Sequence, residues 1–438
     1  MATPRTTAPN LFSAACITTE ILDRKLPLTA QILLRNLLPW GEEATIDLAI
    51  IDGRFVEPPP DLEADRVIDA EGRLTVPGFV EPHIHLDKVM INKDVRTNVS
   101  GTLTEAIEII REKKRAYSVE DIVGRAGTVI ESSVANGVSW LRTHVDVDTI
   151  GGLRPLEGVM AAREKYRDII DIQIVAFPQE GIIRDPGTED LLWQAMEMGA
   201  DVVGGMPFNE SSPEDSRRHI EIAFDIARNF GADIDMHVDE TDDPNARTLQ
   251  MLADKTIEQG FEGRVTAGHA CALAAYPDDY AQSVIDKVRR ARLNMITNPA
   301  TNLMLQGRLD AQPKRRGITR VGELLAAGLN VSFGQDCVRD TFYPFGRNDP
   351  MEVALITAHA AHLSQPAEIE QVFAMPTVNA AKVLGLADYG LKAGAVADAV
   401  IIDATDAAEA IRLQAPRRWV IKRGRVVAET EMRRQTWF

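Results

Sequence analysis

The feature that most constrains the fold of this chain is a repeated alternation of β-rich and helix-like segments between residues 79 and 334. Predicted helices include residues 104–117, 119–136, 189–198, 215–229 and 246–260. The predicted strands are residues 79–86, 138–147, 171–177, 200–206, 232–237, 264–269, 293–297 and 330–334. Strands that alternate with helices favour a parallel sheet, and eight such units over roughly 260 residues match the size of a (β/α)8 barrel. We therefore predict an α/β fold built on a (β/α)8 TIM barrel.

Both ends of the chain carry short β segments that do not alternate with helices. These segments are residues 32–38, 46–51, 53–56 and 66–69 before the barrel, and residues 399–403 and 419–428 after it. Asp52-Gly53 is typical of a tight turn, and Arg423-Gly424 predicts the turn of a C-terminal hairpin. We expect residues 1–76 and 385–438 to form one β-sandwich side domain, and residues 77–384 to form the barrel.

The composition is that of a water-soluble globular protein. The chain has 45% hydrophobic and 26% charged residues, and it lacks the run of about 18 apolar residues that a membrane span needs. Residues 11–21 are interrupted by polar side chains, which makes them a poor signal-peptide core. Three cysteines, Cys16, Cys271 and Cys337, are too few and too scattered for a disulfide framework or a thiolate zinc site. These features predict a cytoplasmic protein without a membrane partner.

The charge balance bears on the partners of the protein. There are 48 basic and 65 acidic side chains, which give a formal net charge of −17. A net negative charge opposes the binding of a polyanion through phosphate contacts. The basic cluster Lys314-Arg315-Arg316 is short and typical of a solvated loop. We expect a small-molecule partner and no nucleic acid.

Two histidines separated by one residue end the first predicted barrel strand, in the stretch Phe79-Val-Glu-Pro-His83-Ile-His85. Residues i and i+2 of a strand point to the same side, so both imidazoles can reach one metal ion. Paired histidines also occur as ordinary hydrogen-bonded groups. The metal hypothesis therefore depends on further ligands.

More polar side chains fall at the C-terminal ends of later predicted strands, where barrels of this kind have their active sites. They are His144 near the end of the second strand, Gln179 after the third, His237 at the end of the fifth, His269 at the end of the sixth and Asp336 after the eighth. Because these strand ends meet at one mouth of the barrel, we expect the side chains to lie close together.

His83, His85, His237 and Asp336 form a nitrogen and oxygen ligand set suited to Zn²⁺ or Fe²⁺. Such an ion can lower the pKa of a bound water towards about 7. His237 could instead be a core histidine, and Asp336 a loop or capping carboxylate, but their coincidence at strand ends favours a metal site. Two-metal hydrolases on such barrels commonly use a strand-four lysine, and residues 202–207 contain none. We therefore expect one divalent ion.

Glu240 follows His237 by three residues, as the chain leaves the fifth predicted strand. A carboxylate beside an activated water can move its proton to a substrate nitrogen, a role worth about 10²–10⁴-fold in rate. The alternative is an ordinary glutamate in the first turn of a helix. We predict that Glu240 is a proton shuttle and that His269 orients the nucleophile or polarises the substrate.

The chain resembles the amidohydrolase superfamily, and within it the cytosine deaminase-like branch. The resemblance covers most of the chain. It rests on Phe79–Asp87, Arg142-Thr-His-Val-Asp-Val147, Gln179-Glu-Gly181, His237-Val-Asp-Glu240, Leu305-Gln-Gly-Arg-Leu-Asp310, residues 313–321, Phe333-Gly-Gln-Asp336 and residues 389–398. It implies a hydrolytic deaminase of a small amino-substituted nitrogen heterocycle that uses one divalent metal and commonly forms oligomers.

The resemblance also implies roles for single residues. Gln179 reads the amide-like edge of the ring, Leu103 lies in the segment that covers the substrate, and Phe342 is the family aromatic at the site. In the implied mechanism, Asp336 takes a proton from the metal-bound water, and the hydroxide attacks the amine-bearing carbon. Glu240 then protonates the ring nitrogen, and ammonia leaves.

One departure from the family pattern limits the choice of substrate. Cytosine deaminases carry an aspartate where this chain has Cys337, and a thiol is only a weak hydrogen-bond donor. We therefore expect a pyrimidine, oxopurine, pterin or triazine as substrate, with Cys337 at the leaving-group side. The alternative functions are removal of an N-alkylamine from such a ring, opening of a cyclic amide, and a non-enzymatic scaffold.

Overall fold

The computed structural model describes residues 29–433 and 435–437, so Cys16 and the predicted features of residues 11–21 lie outside it. Strands β1 to β5 are Thr29–Pro39, Ile46–Ile51, Arg54–Val56, Glu63–Asp69 and Leu74–Pro77. Strands β6 to β13 are Phe79–Ile84, Val138–Asp146, Asp171–Phe177, Val202–Gly205, Asp233–Val238, Val265–His269, Asn294–Thr297 and Val331–Phe333. Strands β14 to β16 are Ala399–Ile402, Arg417–Lys422 and Arg425–Glu429.

Strands β6 to β13 form one parallel sheet in which neighbours in space follow the order of the chain. All eight predicted strands are present, and their ends differ from the predicted ones by at most two residues. The strands are almost wholly buried because helices cover the outside of the sheet, as expected for parallel strands. The predicted (β/α)8 barrel is confirmed.

The helices, α1 to α13, are Leu103–Lys114, Val119–Ala135, Arg154–Tyr166, Thr188–Met198, Pro213–Phe230, Thr248–Gln259, Asp278–Arg290, Pro299–Leu305, Val321–Ala326, Pro350–Ala361, Pro366–Ala374, Ala380–Val383 and Ala407–Leu413. Local sequence explains their ends. In α5, for example, Ser212 caps the first turn by accepting from Asp215 N–H, and Gly231 ends the helix in the left-handed conformation. In the described part of the chain, no helix has both the length and the hydrophobicity needed to cross a membrane.

The barrel closes between β6 and β13 through the backbone of residues predicted to bind metal. Asp336 N–H donates to the His83 carbonyl (2.8 Å), and His85 N–H donates to the Asp336 carbonyl (3.2 Å). Beside this seam, the buried carboxylate of Glu81 accepts from the backbone N–H groups of His83 (2.8 Å) and Gln335 (3.1 Å). Closure of the barrel therefore fixes the spacing of these site residues.

A second sheet combines strands from both ends of the chain, in the order β16, β15, β14, β5, β1, β2 and β3, with β4 also paired to β1. It has its own apolar core, which includes Ile32, Leu34, Phe55 and Ile401. Its strands form the small sandwich expected from the two terminal segments. We propose that the two sheets mark the two predicted domains, with boundaries near residues 76/77 and 384/385.

Gly334, next to the barrel seam, offers a test of this packing. A methyl group there would lie 2.7 Å from both the Cβ and the carbonyl oxygen of His83. Overpacking of this kind costs about 1–3 kcal/mol, so Gly334→Ala is expected to lower the free energy of unfolding by about that amount in urea denaturation. Gly322→Ala in α9 is the control, since its methyl group meets open space. Equal stability of Gly334→Ala and the natural protein would contradict the packing described.

Candidate functional site

Three imidazole nitrogens and one carboxylate converge at the barrel mouth. The Nε2 atom of His237 lies 3.2 Å from His83 Nε2 and 3.1 Å from His85 Nε2. The Oδ1 atom of Asp336 lies 3.6 Å from His83 Nε2 and 3.3 Å from His85 Nε2. Ligands about 2.0–2.1 Å from a tetrahedral zinc ion are about 3.3 Å apart. Four of the six distances within the predicted ligand set therefore lie close to the spacing that one such ion requires.

The protonation of these histidines also suits metal binding. His85 Nδ1–H donates to the backbone carbonyl of His144 (3.1 Å), which leaves the lone pair of His85 Nε2 free to bind a metal. Burial, followed by the charge of Lys88, lowers the pKa of His85 to about 4, and burial lowers the pKa of His237 well below its ordinary value. Both rings are therefore neutral at pH 7, as ligands must be.

His269 lies beside this ligand set. One of its ring nitrogens is within 4.8 Å of ligand atoms of Asp336, His83 and His237. Its Nε2 and Nδ1 atoms each lie 3.1 Å from a side-chain amide nitrogen, that of Asn298 and that of Asn302 respectively. A neutral imidazole accepts a hydrogen bond at one nitrogen only, so at most one of these amide groups donates to His269. His269 therefore lies within reach of the predicted ligands, where it could orient the nucleophile or polarise the substrate as predicted.

Glu240 and Asp336 are two buried carboxyl groups with opposite pKa shifts. Burial, together with the charge of Asp336, raises the pKa of Glu240 well above its ordinary value. Burial also raises the pKa of Asp336, but His269 and the adjacent imidazoles outweigh it and hold that pKa well below its ordinary value. Asn302 orients Glu240 by donating to its Oε1 (3.0 Å). Such a pair provides one proton donor and one proton acceptor at the same pH.

The backbone is strained at the ends of three barrel strands. Asp239, His269 and Asp336 have φ values of 46°, 67° and 65°, in the left-handed region that residues other than glycine seldom adopt. Asp239 is locked by hydrogen bonds from Thr248 and Leu249 to its carboxylate. Strained residues persist where the surrounding structure fixes them, and they cluster at functional sites.

A narrow cavity at the barrel mouth joins the predicted substrate contacts to the metal site. Leu103 begins α1, Gln179 follows β8, and Cys337 and Phe342 follow β13. The cavity is lined by His85, Lys88, Leu103, Ile107, Phe177, Gln179, Met206, His237, Glu240, Thr301, Asp336, Cys337 and Phe342. The structure therefore brings the four predicted substrate-binding residues together.

The inner cavity is nearly closed. Its volume is about 20 Å³, whereas a wider opening outside it measures about 910 Å³. Leu103, Ile107, Met206 and Glu240 line both spaces and separate them. Sites for drug-sized ligands usually measure about 300–1,000 Å³. Entry of a ring therefore requires side chains between the two spaces to move.

His144 lies next to the ligand set, with its ring centroid 4.1 Å from that of His83. Among the described residues, neither of its ring nitrogens has a hydrogen-bond partner, and its Nε2 is 3.7 Å from Asp235 Oδ1. Arg142 Nη1 donates to the other oxygen of Asp235 (2.9 Å) and balances its charge. The positive charge of the Arg142 guanidinium would repel a second cation beside Asp235. This arrangement favours a single ion at the barrel mouth.

Sequence reasoning did not identify Lys88, Asn298 or Asn302 at the site. The buried Lys88 ammonium donates to Asp146 and to Gln179 Oε1 (2.5 Å). Its signal in the sequence was its position three residues after His85. The two asparagines are four residues apart at the start of α8 and therefore project from one side of the helix.

Comparisons with known proteins identify the family. A model described as the amidohydrolase family matches residues 66–428. The N-isopropylammelide isopropyl amidohydrolase of Pseudomonas sp. (strain ADP) is 30% identical over 92% of this chain and 98% of its own length. The pterin deaminase of Rhizobium rhizogenes (strain K84 / ATCC BAA-868) is 32% identical over 82% of each chain.

A solved structure extends the similarity to three dimensions. The 5-methylcytosine deaminase from Klebsiella pneumoniae, liganded with 5-fluorocytosine, superposes with a TM-score of 0.88 at 37% identity. The match covers 92% of this chain and 99% of that chain. The predicted resemblance and the predicted enzyme class are both confirmed. The protein is an aminohydrolase that acts on C–N bonds, and the chain belongs to the amidohydrolase family.

Proposed function

We propose that the protein is a metal-dependent deaminase that hydrolyses the exocyclic C–N bond of a small amino-substituted nitrogen heterocycle and releases ammonia. The ring is a pyrimidine, oxopurine, pterin or triazine. The observation that carries the proposal is the placement of two buried carboxyl groups with opposite pKa shifts, Glu240 and Asp336, beside three converging Nε2 atoms. The names of the relatives, which include deaminases of pterin and 5-methylcytosine, support this class of substrate.

The proposed ligands are His83, His85, His237 and Asp336, and either zinc or iron(II) suits this set. When bound, the ion would supply an activated water as nucleophile at neutral pH. Asp336, whose pKa is held well below its ordinary value, would accept a proton from the attacking water.

Glu240 has the complementary role. Its raised pKa keeps the carboxyl group protonated, so it can donate to the ring nitrogen next to the attacked carbon. The ring carbon becomes tetrahedral as water oxygen adds, and the ring recovers its conjugation when the C–N bond breaks. Asp336 passes the proton it took from water to the amino group, which leaves as ammonia, and the added hydroxyl gives its proton to Glu240 as the carbonyl forms. Asn302 and His269, both next to Glu240 Oε1, position the donor.

A second candidate function is removal of an alkylamine from the ring. The observation that favours it is the environment of Cys337, which packs against Ala300, Tyr343, Met304 and Phe342 in an apolar cluster. Burial raises the pKa of the Cys337 thiol well above its ordinary value, so the thiol stays neutral. The thiol also contacts the side chains of Thr301 and Asp340, so this wall is apolar only in part. Its apolar members could accept an alkyl group at the leaving nitrogen. One relative is named for removal of isopropylamine.

We also propose that the enzyme is cytoplasmic and homo-oligomeric. Support for the compartment comes from the cysteines, since the described ones, Cys271 and Cys337, are free and buried. Thiols of this kind need no oxidising environment. The proposal of a homo-oligomer rests only on the family resemblance, since members of the family commonly form oligomers.

A product assay tests the function directly. The metal-loaded protein is incubated with cytosine, 5-methylcytosine, guanine, pterin, an aminotriazine and N-isopropylammelide, and free ammonia and isopropylamine are measured separately. We expect ammonia from at least one ring. Isopropylamine without ammonia would replace the leading proposal with the second. Neither product from any ring would contradict both proposals.

Glu240→Gln tests the proton donor. The amide keeps the size of the side chain but is not an acid, so we expect turnover to fall by about 10²–10⁴-fold while bound metal and the melting temperature stay unchanged. The control is Asp243→Asn, which alters an exposed carboxylate three residues further along the chain. Near-normal turnover of Glu240→Gln would remove Glu240 from the mechanism.

A further inference from the structure

One side of the substrate cavity carries a buried lysine whose contacts are unusual for a catalytic pocket. Lys88 is fully buried, lines the cavity and donates to Asp146 and to Gln179 Oε1. Asp87 is too distant for a further hydrogen bond, at 4.0 Å from the Lys88 nitrogen. An ammonium has three protons to donate. Within the described residues, one of these protons has no acceptor.

The contact with Lys88 fixes which end of the Gln179 amide can contact a ligand. A lysine ammonium only donates, so Gln179 must turn its oxygen towards Lys88. The Nε2 group of Gln179 is buried and has no hydrogen-bond partner among the described residues. Gln179 lines the cavity, and its backbone is held by Asn209, whose amide donates to the Gln179 carbonyl (2.8 Å). Gln179 can therefore offer a ligand its N–H groups alone.

The surroundings keep Lys88 protonated. Burial lowers its pKa, but the charges of Asp146 and Asp87 outweigh this effect, and the pKa lies above the ordinary value of lysine. Asp146 also pairs with the buried Lys114 (2.7 Å), so its charge is shared between two ammonium groups. Lys88 is consequently a donor whose charge is only partly balanced.

We propose that Lys88 and Gln179 form a donor-only edge of the cavity, which selects rings that present two neighbouring hydrogen-bond acceptors there. A carbonyl oxygen beside a second carbonyl or an unprotonated ring nitrogen meets this requirement. An amino group or a protonated ring nitrogen at either position would place its own N–H against the N–H groups of Lys88 and Gln179, and no hydrogen bond could form. The inference rests on the proposed function, because it names the class of ring that the same site accepts.

A matched pair of probes tests this edge without reference to turnover. 2-Pyrimidinone and 2-aminopyrimidine are both uncharged at pH 7 and differ at one ring carbon, which carries a carbonyl oxygen in the first and an amino group in the second. In both rings this carbon lies beside an unprotonated ring nitrogen. Calorimetric titration of the metal-loaded, full-length protein gives both dissociation constants, with mass spectrometry to check that each ring is recovered intact. We expect 2-pyrimidinone to bind at least tenfold more tightly.

Variants separate the edge from the rest of the site. Lys88→Met is expected to reduce the ratio of the two dissociation constants at least tenfold. The nearly isosteric Gln179→Glu, which places a carboxylate oxygen in the cavity, is expected to shift the ratio the same way. Lys93→Met is the control, since it makes the same substitution at an exposed lysine five residues further along the chain. It should leave the ratio unchanged. Circular dichroism and melting curves establish that each variant is folded.

The outcomes distinguish the inference from the function on which it rests. Equal binding of the two probes, or an unchanged ratio in a folded Lys88→Met or Gln179→Glu variant, would overturn the donor-only edge even if ammonia is released from a ring. A strong preference for 2-pyrimidinone with no product from any ring would support the edge and contradict the proposed function. If neither probe binds, the donor-only edge is overturned, whatever the product assay shows.

Discussion

The hydrogen bonds that close the barrel between β6 and β13 are the constraint on which the rest of the site depends. They join the backbone of His83 and His85 to that of Asp336, three of the four proposed ligands. Glu81 reinforces the seam from the buried side, and burial raises its pKa to about 8 despite the two backbone N–H groups that it accepts from. A change that opens this seam therefore alters the fold and the ligand spacing together.

Burial determines the electrostatics of the site. It keeps the imidazoles of His85 and His237 neutral, so their nitrogens retain lone pairs at the barrel mouth. The same burial raises the pKa of Glu240, whereas the pKa of Asp336 lies well below its ordinary value. One enclosed environment thus supplies metal ligands, a proton acceptor and a proton donor. On the other side of the cavity, Lys88 keeps its charge because it forms an ion pair with the carboxylate of Asp146, which is buried beside it.

The sequence was sufficient for much of this account because its main signals are periodic or tied to strand ends. Alternating strands and helices predicted the barrel, and the barrel in turn brought His237 and Asp336 to the mouth with His83 and His85. The four substrate-binding predictions, Gln179, Leu103, Cys337 and Phe342, came instead from family resemblance. All four line one cavity.

Other features of the site depend on contacts that have no pattern in the sequence. Asn302 reaches both Glu240 and His269 from a helix more than thirty residues further along the chain from either. Lys88 meets Gln179 only because β6 and β8 both flank β7 in the barrel. The left-handed conformations of His269 and Asp336 follow from tertiary packing, since residues other than glycine keep them only where the surrounding structure fixes them. Which heterocyclic ring the site accepts also depends on tertiary contacts that have no pattern in the sequence.

Anomalous diffraction from crystals of the zinc-loaded protein would test the central claim most directly. We expect one anomalous peak per chain, within about 2.0–2.2 Å of an Asp336 carboxylate oxygen and the Nε2 atoms of His83, His85 and His237. No peak at this position in a protein that has bound zinc, or a second peak between His144 and Asp235, would contradict a single-metal site at the barrel mouth.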